Sequence, residues 1–345
     1  MNRLSALPNG QWPAEELLVG HCENLLHVRN LIRRIAPADM TVLITGETGT
    51  GKELAARAIH GLSPRRNGPF VSVNCAAIPD SLLESELFGF EKGAFTGAMI
   101  RQQGKLRAAH RGTIFLDEVG DMSLQTQAKI LRTIESQEIQ PLGETRNISI
   151  DVRVVAATHQ NLERLISEQK FRADLFFRLN VLPVYLPPLR ERRDDIPELV
   201  DCFIRELNQR YGRCVAGVTK GGLRLLRNQE WPGNVRQLRN VIEGAYLICS
   251  SQFVTAADLR WLHWTLAKGP HLTAQLSSQE LPHVPMAPEP DRLLEALQAT
   301  RWNKSKAAEI LRCSRMTVYR RIAKYGLQQE GPLAESQPDG GLANV

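Results

Sequence analysis

The stretch TVLITGETGTGKELAARAIHGL, residues 41–62, decides the fold. It begins with TVLIT (41–45), short, apolar and β-branched as a buried parallel strand is. GETGTGKE (46–53) follows without a spacer and leads into an Ala- and Leu-rich helical run. Gly46, Gly49 and Gly51 let the backbone curl so that successive N–H groups face inward. The loop Gly46, Glu47, Thr48, Gly49, Thr50, Gly51 and the helix N-terminus cradle phosphates, while Lys52 reaches the β- and γ-oxygens. Glu53 departs from the Ser or Thr that usually comes next in such a loop. The hydroxyl ligand for Mg²⁺ is therefore absent, and the metal must lean on phosphate oxygens, water and an acidic residue elsewhere.

TIFLDE (113–118) supplies that residue. An apolar strand ending in two carboxylates sets Asp117 and Glu118 at the C-terminal edge of a sheet, where α/β proteins bind ligands. Asp117 suits Mg²⁺, directly or through water. Glu118 suits a general base that activates water for attack on a γ-phosphate. A third strand, VRVVAAT (152–158), ends on Thr158, whose hydroxyl is a candidate reader of that phosphate.

FVSV (70–73) and VLPVYL (181–186) complete five strand-like runs, with helical stretches such as LQTQAKILRTIESQE between them. Strands alternating with helices predict an α/β fold with a central parallel sheet over 19–189. From 190 to 264 the strand signal stops, and three helical runs predict a small second domain. The last of them opens after Pro232-Gly233, with Asn234 as its expected N-cap. Residues 265–290 hold five prolines and no periodicity, the composition of an extended linker. Residues 1–18 read as a leader and 328–345 as a polar, disordered tail.

Hydrophobic content of 43% and charged content of 23% fit an ordinary globular chain. No apolar run approaches the roughly 18 residues of a membrane span, and the N-terminus lacks a signal-peptide core. A cytoplasmic protein with no membrane partner is expected. Cysteines at 22, 75, 202, 214, 249 and 313 form no CxxC pair and no metal spacing, as reduced, packed thiols do not. Residues 291–327 contain nine Lys/Arg and three Asp/Glu, which accounts for the whole net charge of +6. A basic module on a neutral body points to nucleic acid.

Within that module, residues 302–327 read as two helices with a short break. The first, 304–311, is capped by Asn303 and turns Ala307, Ala308 and Leu311 inward. Ser314 caps the second, 315–324, which turns Val318, Ile322 and Tyr325 inward and leaves Arg315, Thr317, Tyr319, Arg320 and Lys324 outward. A short second helix with polar N-terminal residues follows helix-turn-helix logic. Lys304 and the other cations near helix ends suit phosphates; Arg315 and Arg320 suit base edges.

GETGTGKE, ESELFGFEKGAFTGA (84–98), GTIFLDEVGDM (112–122), FRADLFFRL (171–179), PLRERRDDI (188–196) and WPGNVRQLRN (231–240) occur in that order. Together they resemble the AAA+ ATPase domain of bacterial enhancer-binding proteins, the activators of sigma-54 RNA polymerase. The resemblance covers roughly 19–264 and continues into the basic module, which is similar to the Fis-type domain that ends this family. It implies an α/β AAA+ P-loop ATPase with a helical lid, followed by an all-α helix-turn-helix domain. Glu53 is then ordinary, because the family usually has Glu there.

Site roles follow from the resemblance. Gly93, Ala94, Phe95, Thr96, Gly97 and Ala98 would form the tip of a loop that contacts sigma-54, with Phe95 and Thr96 making the contact. Asn74 resembles the polar residue that holds the catalytic glutamate until γ-phosphate is sensed. Arg172 and Arg178 match arginine fingers that reach into a neighbouring subunit's site. Arg236 matches a second sensor on the lid, and Val19 and Gly20 match the adenine pocket. The implied cofactors are ATP and Mg²⁺. The implied partners are the sigma-54 RNA polymerase holoenzyme, enhancer DNA, and further copies in a hexameric ring, dimeric at rest, or a sister activator in a hetero-oligomer. The rival is a binding-only regulator with a vestigial ATPase core, against which stand the intact GAFTGA, Lys52, Asp117 and Glu118. About 18 residues precede the ATPase core, too few to fold alone. Control is expected from a separate regulatory protein, a sister activator or expression level.

Overall fold

The computed structural model describes residues 17–94, 100–259, 297, 300, 302–304, 306, 307, 318 and 322. The leader to residue 16, the loop tip Phe95–Ala98, the linker and the tail lie outside the described residues. The chain divides into two compact units between Gly269 and Pro270.

In the first unit, five parallel strands form one sheet: β1 (Val42–Thr45), β2 (Phe70–Asn74), β3 (Thr113–Asp117), β4 (Arg153–Thr158) and β5 (Leu182–Tyr185). Their order across the sheet is β2–β3–β4–β1–β5. The three central strands β3, β4 and β1 are buried along nearly their whole length because both their faces are covered, whereas the edge strands β2 and β5 are partly exposed. Val42, Ile44, Phe115, Val155 and Ala157 face a core shared with α1 (Glu23–Ile35) and α2 (Lys52–Gly61). Leu43, Ile114, Leu116, Val154 and Ala156 face the opposite core. There they meet α3 (Asp80–Phe88), α4 (Leu124–Ser136) and α5 (Ala173–Leu179). The two-residue alternation of a pleated strand sorts the side chains between these layers. Arg153, buried at the start of β4, donates to the carbonyls of Ile35, Ala36 and Met40 and so satisfies the end of α1.

A short stem flanks the segment that carries GAFTGA. Gly89–Phe90 pairs antiparallel with Gln102–Gln103, and Glu91 meets Arg101 at 2.8 Å. A second hairpin, Glu138–Ile139 with Ile148–Ser149, braces the stem. Leu142 exchanges backbone bonds with Gly89 and Glu91 at 2.9 and 3.0 Å. Gly93 is left-handed, with φ +85°, as the turn away from the stem requires.

The lid consists of α6 (Ile196–Tyr211), α7 (Lys220–Arg227) and α8 (Asn234–Ile248) around their own apolar core. Buried Trp231 donates its indole N–H to the Leu226 carbonyl at 2.8 Å. The helical reading of this region missed a parallel ladder, Gly217–Val218 with Phe253–Val254. Two residues are too few to show alternation. Asn234 is also not the expected N-cap: Gly233 holds that position without a side-chain bond. Asn234 is fully buried at φ +51°, and its amide points into the core domain.

In the second unit, Asn303 caps a helical turn, its Oδ1 accepting from the Lys306 N–H at 3.3 Å. Ala307 and Val318 are buried, the inward placement their spacing predicts. Ser314, Arg315, Thr317, Tyr319, Arg320 and Lys324 lie outside the described residues.

Candidate functional site

Parallel register brings the strand ends to one edge. Thr45 lies level with Thr158, and Asn74 with Asp117. Since β4 sits between β1 and β3, the loop after β1 and the carboxylates after β3 meet over the end of β4. Gly49 and Gly51 are left-handed, φ +81° and +108°, so the loop curls as its glycines predict. Lys52 is buried, its Nζ 3.0 Å from the Gly46 carbonyl and 3.2 Å from Glu118 Oε1.

Glu118 has left-handed backbone angles, φ 56° and ψ 53°, uncommon for a residue with a side chain and typical of functional turns. The turn swings its carboxylate towards β4. There Oε2 accepts from the His159 backbone N–H at 3.0 Å and meets His159 Nδ1 at 2.7 Å. Burial pushes this carboxyl up, but the bonds from His159 and the charge of Lys52 outweigh it and hold Glu118 below its usual range. Asp117 goes the other way. Burial first, then the charge of Glu118, raises its carboxyl above the ordinary value. Its Oδ1 is buried and has no hydrogen-bond partner among the described residues. A desolvated carboxylate oxygen without a donor fits a bound cation, so Asp117 meets what Mg²⁺ asks of a ligand.

Asn74 and Thr158 have partners other than those their expected roles name. Asn74 does not hold Glu118. Its Nδ2 reaches Asp117 Oδ2 at 3.4 Å, and its Oδ1 accepts from the N–H groups of Ala76 and Ala77 at 3.0 Å. Register explains this, because Asn74 is level with Asp117 while Glu118 lies one residue further and turns the other way. Thr158 does not present its hydroxyl to the loop mouth. It is fully buried, and its Oγ1 accepts from the Gln160 N–H at 3.0 Å. The polar group at that strand end is His159, which the sequence reading missed. Its one signal was a polar residue directly after an apolar strand.

The lid is fastened to the loop. The N–H groups of Val235 and Arg236 donate to the Gly49 carbonyl at 3.0 and 3.3 Å. A Cβ at Gly49 would stand 2.4 Å from the Gly233 carbonyl oxygen, so only glycine fits. Asn234 accepts from the Leu189 N–H at 2.7 Å and donates to the Thr48 carbonyl at 3.0 Å and to Glu47 Oε2 at 3.1 Å. Arg190 grips Glu47 with two bonds of 2.6 and 2.8 Å and, with Asn234, holds its carboxyl below the usual range. Buried Arg192 donates to the Thr50 carbonyl at 2.8 Å. Val19 packs on the lid core, and Gly20 sits against buried Asp195, where a Cβ would fall 2.4 Å from Oδ2. Asp195 accepts from the N–H groups of His21 and Cys22 at 2.7 and 2.8 Å. PLRERRDDI carries Arg190, Arg192 and Asp195, but their charges alone gave no hint of these partners.

Glu53 is exposed and paired with Arg57 at 2.7 Å. Arg172 and Arg178 are exposed at the ends of α5, Arg172 paired with Asp174, and Phe177 between them is 74% exposed. Among the described residues no helix is long and apolar enough to cross a membrane, and no group of three or more His, Cys, Asp or Glu could hold a metal. The described cysteines are free thiols.

Residues 18–185 match the Sigma-54 interaction domain, 190–268 the AAA+ ATPase lid domain, and 289–325 the Bacterial regulatory protein, Fis family. The chain is 44% identical over 323 residues to the putative uric acid sigma-54-dependent transcriptional regulator UacR of Escherichia coli K12, covering 91% of this chain and 55% of that protein. It is 43% identical over 307 residues to the transcriptional regulatory protein ZraR of Salmonella typhimurium, covering 89% of this chain and 68% of that one. The chain thus spans between about half and two thirds of the length of these relatives. Among solved structures, NtrX from Brucella abortus in complex with ATP superposes with a TM-score of 0.64 at 36% identity, covering 90% of this chain and 69% of that one. Three matched regions in series, together with the loop, carboxylates and lid described above, lead to one conclusion: the chain belongs to the sigma-54 activator family, with a sigma-54 interaction AAA+ domain, its lid and a Fis-type helix-turn-helix.

Proposed function

We propose that this chain binds enhancer DNA, assembles into a hexameric ring, hydrolyses ATP to ADP and phosphate, and uses that cycle to remodel a sigma-54 polymerase closed complex into an open one. The observation that carries the reading is the meeting of Lys52, Asp117 and Glu118 at one sheet edge, with Glu118 on a left-handed turn and bonded to Lys52. The loop backbone and Lys52 hold the phosphates, and Val19 and Gly20 border the base. Asp117 would hold Mg²⁺, which when bound neutralises phosphate charge. Glu118 takes the proton of the attacking water. Arg236 reports the nucleotide from the lid. Arg172 and Arg178, exposed and remote in sequence from the loop, act on a neighbouring copy's nucleotide. NtrX, solved with ATP and with ADP, supports the nucleotide assignment.

Phe95 and Thr96 carry the contact to sigma-54, on a loop whose stem is braced at Gly143 by Ala94. The decisive measurement is promoter melting by purified protein with enhancer DNA and sigma-54 holoenzyme. Melting is expected with ATP and absent with a non-hydrolysable analogue; equal melting with both would end the proposal. Thr96→Ala is expected to retain ATPase activity to within about two-fold while open complexes disappear, since the change lies on the contact and not at the nucleotide. Removal of 291–327 is expected to abolish a specific footprint and to leave ATPase activity in place, because the cations that read DNA lie there.

A further inference from the structure

We infer that the outward face of α7 is a second DNA contact, one that grips phosphates without reading sequence: Lys220, Arg224 and Arg227 take the backbone of the duplex that the basic module holds. The inference rests on the reading of that module as the enhancer-binding one. α7 runs Lys220–Arg227 with the sequence KGGLRLLR. Gly222 and Leu226 are buried on its inner face, and Lys220, Arg224 and Arg227 are exposed. Spacings of four and three residues put the three cations on one side of the helix. At a rise of about 1.5 Å per residue the row is about 10 Å long, which is the axial rise of about three nucleotides along one DNA strand.

Helix stability does not account for this row. α7 has no Asp or Glu. Exposed cations on other helices are paired four residues away, Arg57 with Glu53 and Arg164 with Glu168. Among the described residues Lys220 and Arg224 have no ion pair, and Arg227 has only Asp194 at 3.9 Å, itself 81% exposed. Glu230, just after α7, holds Arg193 at 2.7 Å, and Asp258 accepts from the N–H and the hydroxyl of Thr255, each at 2.8 Å. Like charges at four-residue spacing destabilise a helix, and Lys220 stands in the first turn, where the helix dipole disfavours a cation. The complement of such a row is an external polyanion.

Position selects DNA as that polyanion. Leu259 is fully buried against α7, where a Cβ at Gly222 would stand 3.1 Å from its Cδ1. The described part of the lid ends there, beside the cationic helix, and residues 260–290 separate that point from the basic module. A flexible chain of that length averages about 30 Å end to end, close to one turn of duplex. DNA bound by the module is thereby held near α7 at an effective concentration on the order of millimolar, at which contacts too weak to form alone become populated.

The test measures the affinity of the full chain for a labelled mixed-sequence duplex of about 40 base pairs as salt is varied. Each phosphate contact contributes about 0.9 to the slope of log K against log salt. Lys220→Ala, Arg224→Ala and Arg227→Ala combined are therefore expected to lower the slope by about two to three and to weaken binding at about 0.1 M salt by about 10-fold or more. Lys220→Arg, Arg224→Lys and Arg227→Lys combined keep the charges and should keep the wild-type slope, because a phosphate gripped in this way reads charge and not the guanidinium fork. Melting temperature and ATP hydrolysis without DNA should match the wild type in both variants. A wild-type slope in the alanine variant would overturn the inference while the module still bound DNA. A slope lowered equally in the charge-conserving variant would overturn it too, by tracing the loss to something other than charge. Failure of the wild-type chain to bind the duplex would instead remove the enhancer-binding reading, and the inference with it.

Discussion

Glu118→Gln is expected to leave ATP bound and uncleaved. The amide has the size of the carboxylate but cannot accept a proton at neutral pH. General-base removal typically costs about 10²- to 10⁴-fold, so phosphate release should fall by at least 100-fold. Binding should survive, because the loop backbone and Lys52 are untouched. Affinity should even rise somewhat: Glu118 Oε1 now draws Lys52 at 3.2 Å, and an uncharged partner competes less with phosphate. Phosphate release and analogue affinity, measured side by side, check both halves. Promoter melting should be lost with hydrolysis. A rate within about ten-fold of wild type would leave Glu118 without its role as general base.

Asn234→Ala is expected to loosen the lid from the loop and to destabilise the first unit. Asn234 is fully buried and left-handed, and its amide serves Leu189, Glu47 and Thr48 together. Truncation leaves the buried Leu189 N–H without its acceptor, which costs roughly 1–3 kcal/mol. Alanine in a left-handed conformation adds about 1–2 kcal/mol. Melting should fall by about 2–4 °C per kcal/mol in a domain of this size. ATP affinity should drop as well, because Gly49 is held from the same helix start. Asn234→Gly separates the causes. Glycine removes the backbone strain and keeps the hydrogen-bond deficit, so it should recover only the smaller part of the loss. Full recovery in Asn234→Gly would mean that the amide network does not couple lid to loop.

Much of the fold was legible because its three central strands are covered on both faces. TVLIT, TIFL and VRVVAAT are continuous apolar runs, and such runs between helices leave few architectures open. The glycines around Lys52 were legible for a different reason: a phosphate cradle demands backbone angles that few other residues accept. Lys52 could be named from the glycine loop that precedes it, and Asp117 and Glu118 from their place at a strand end. The partners of those residues could not. Asn74 and His159 both follow or end strands that flank β3, and nothing in the local sequence chooses between them as the group that holds Glu118. Register and one left-handed turn make the choice.

The amino-acid sequence by itself determined the layers, the phosphate loop, the carboxylate pair, the basic module and the family, because each rests on residue types in a fixed local pattern. Only the tertiary structure decided which residues join these parts. His159 on Glu118, Arg190 and Asn234 on Glu47, and Asp195 beneath Gly20 are contacts between segments from 41 to 187 positions apart. Hydrogen bonding is short-ranged and directional, so such pairings exist only once strand order and register have set the atoms within about 3 Å of each other.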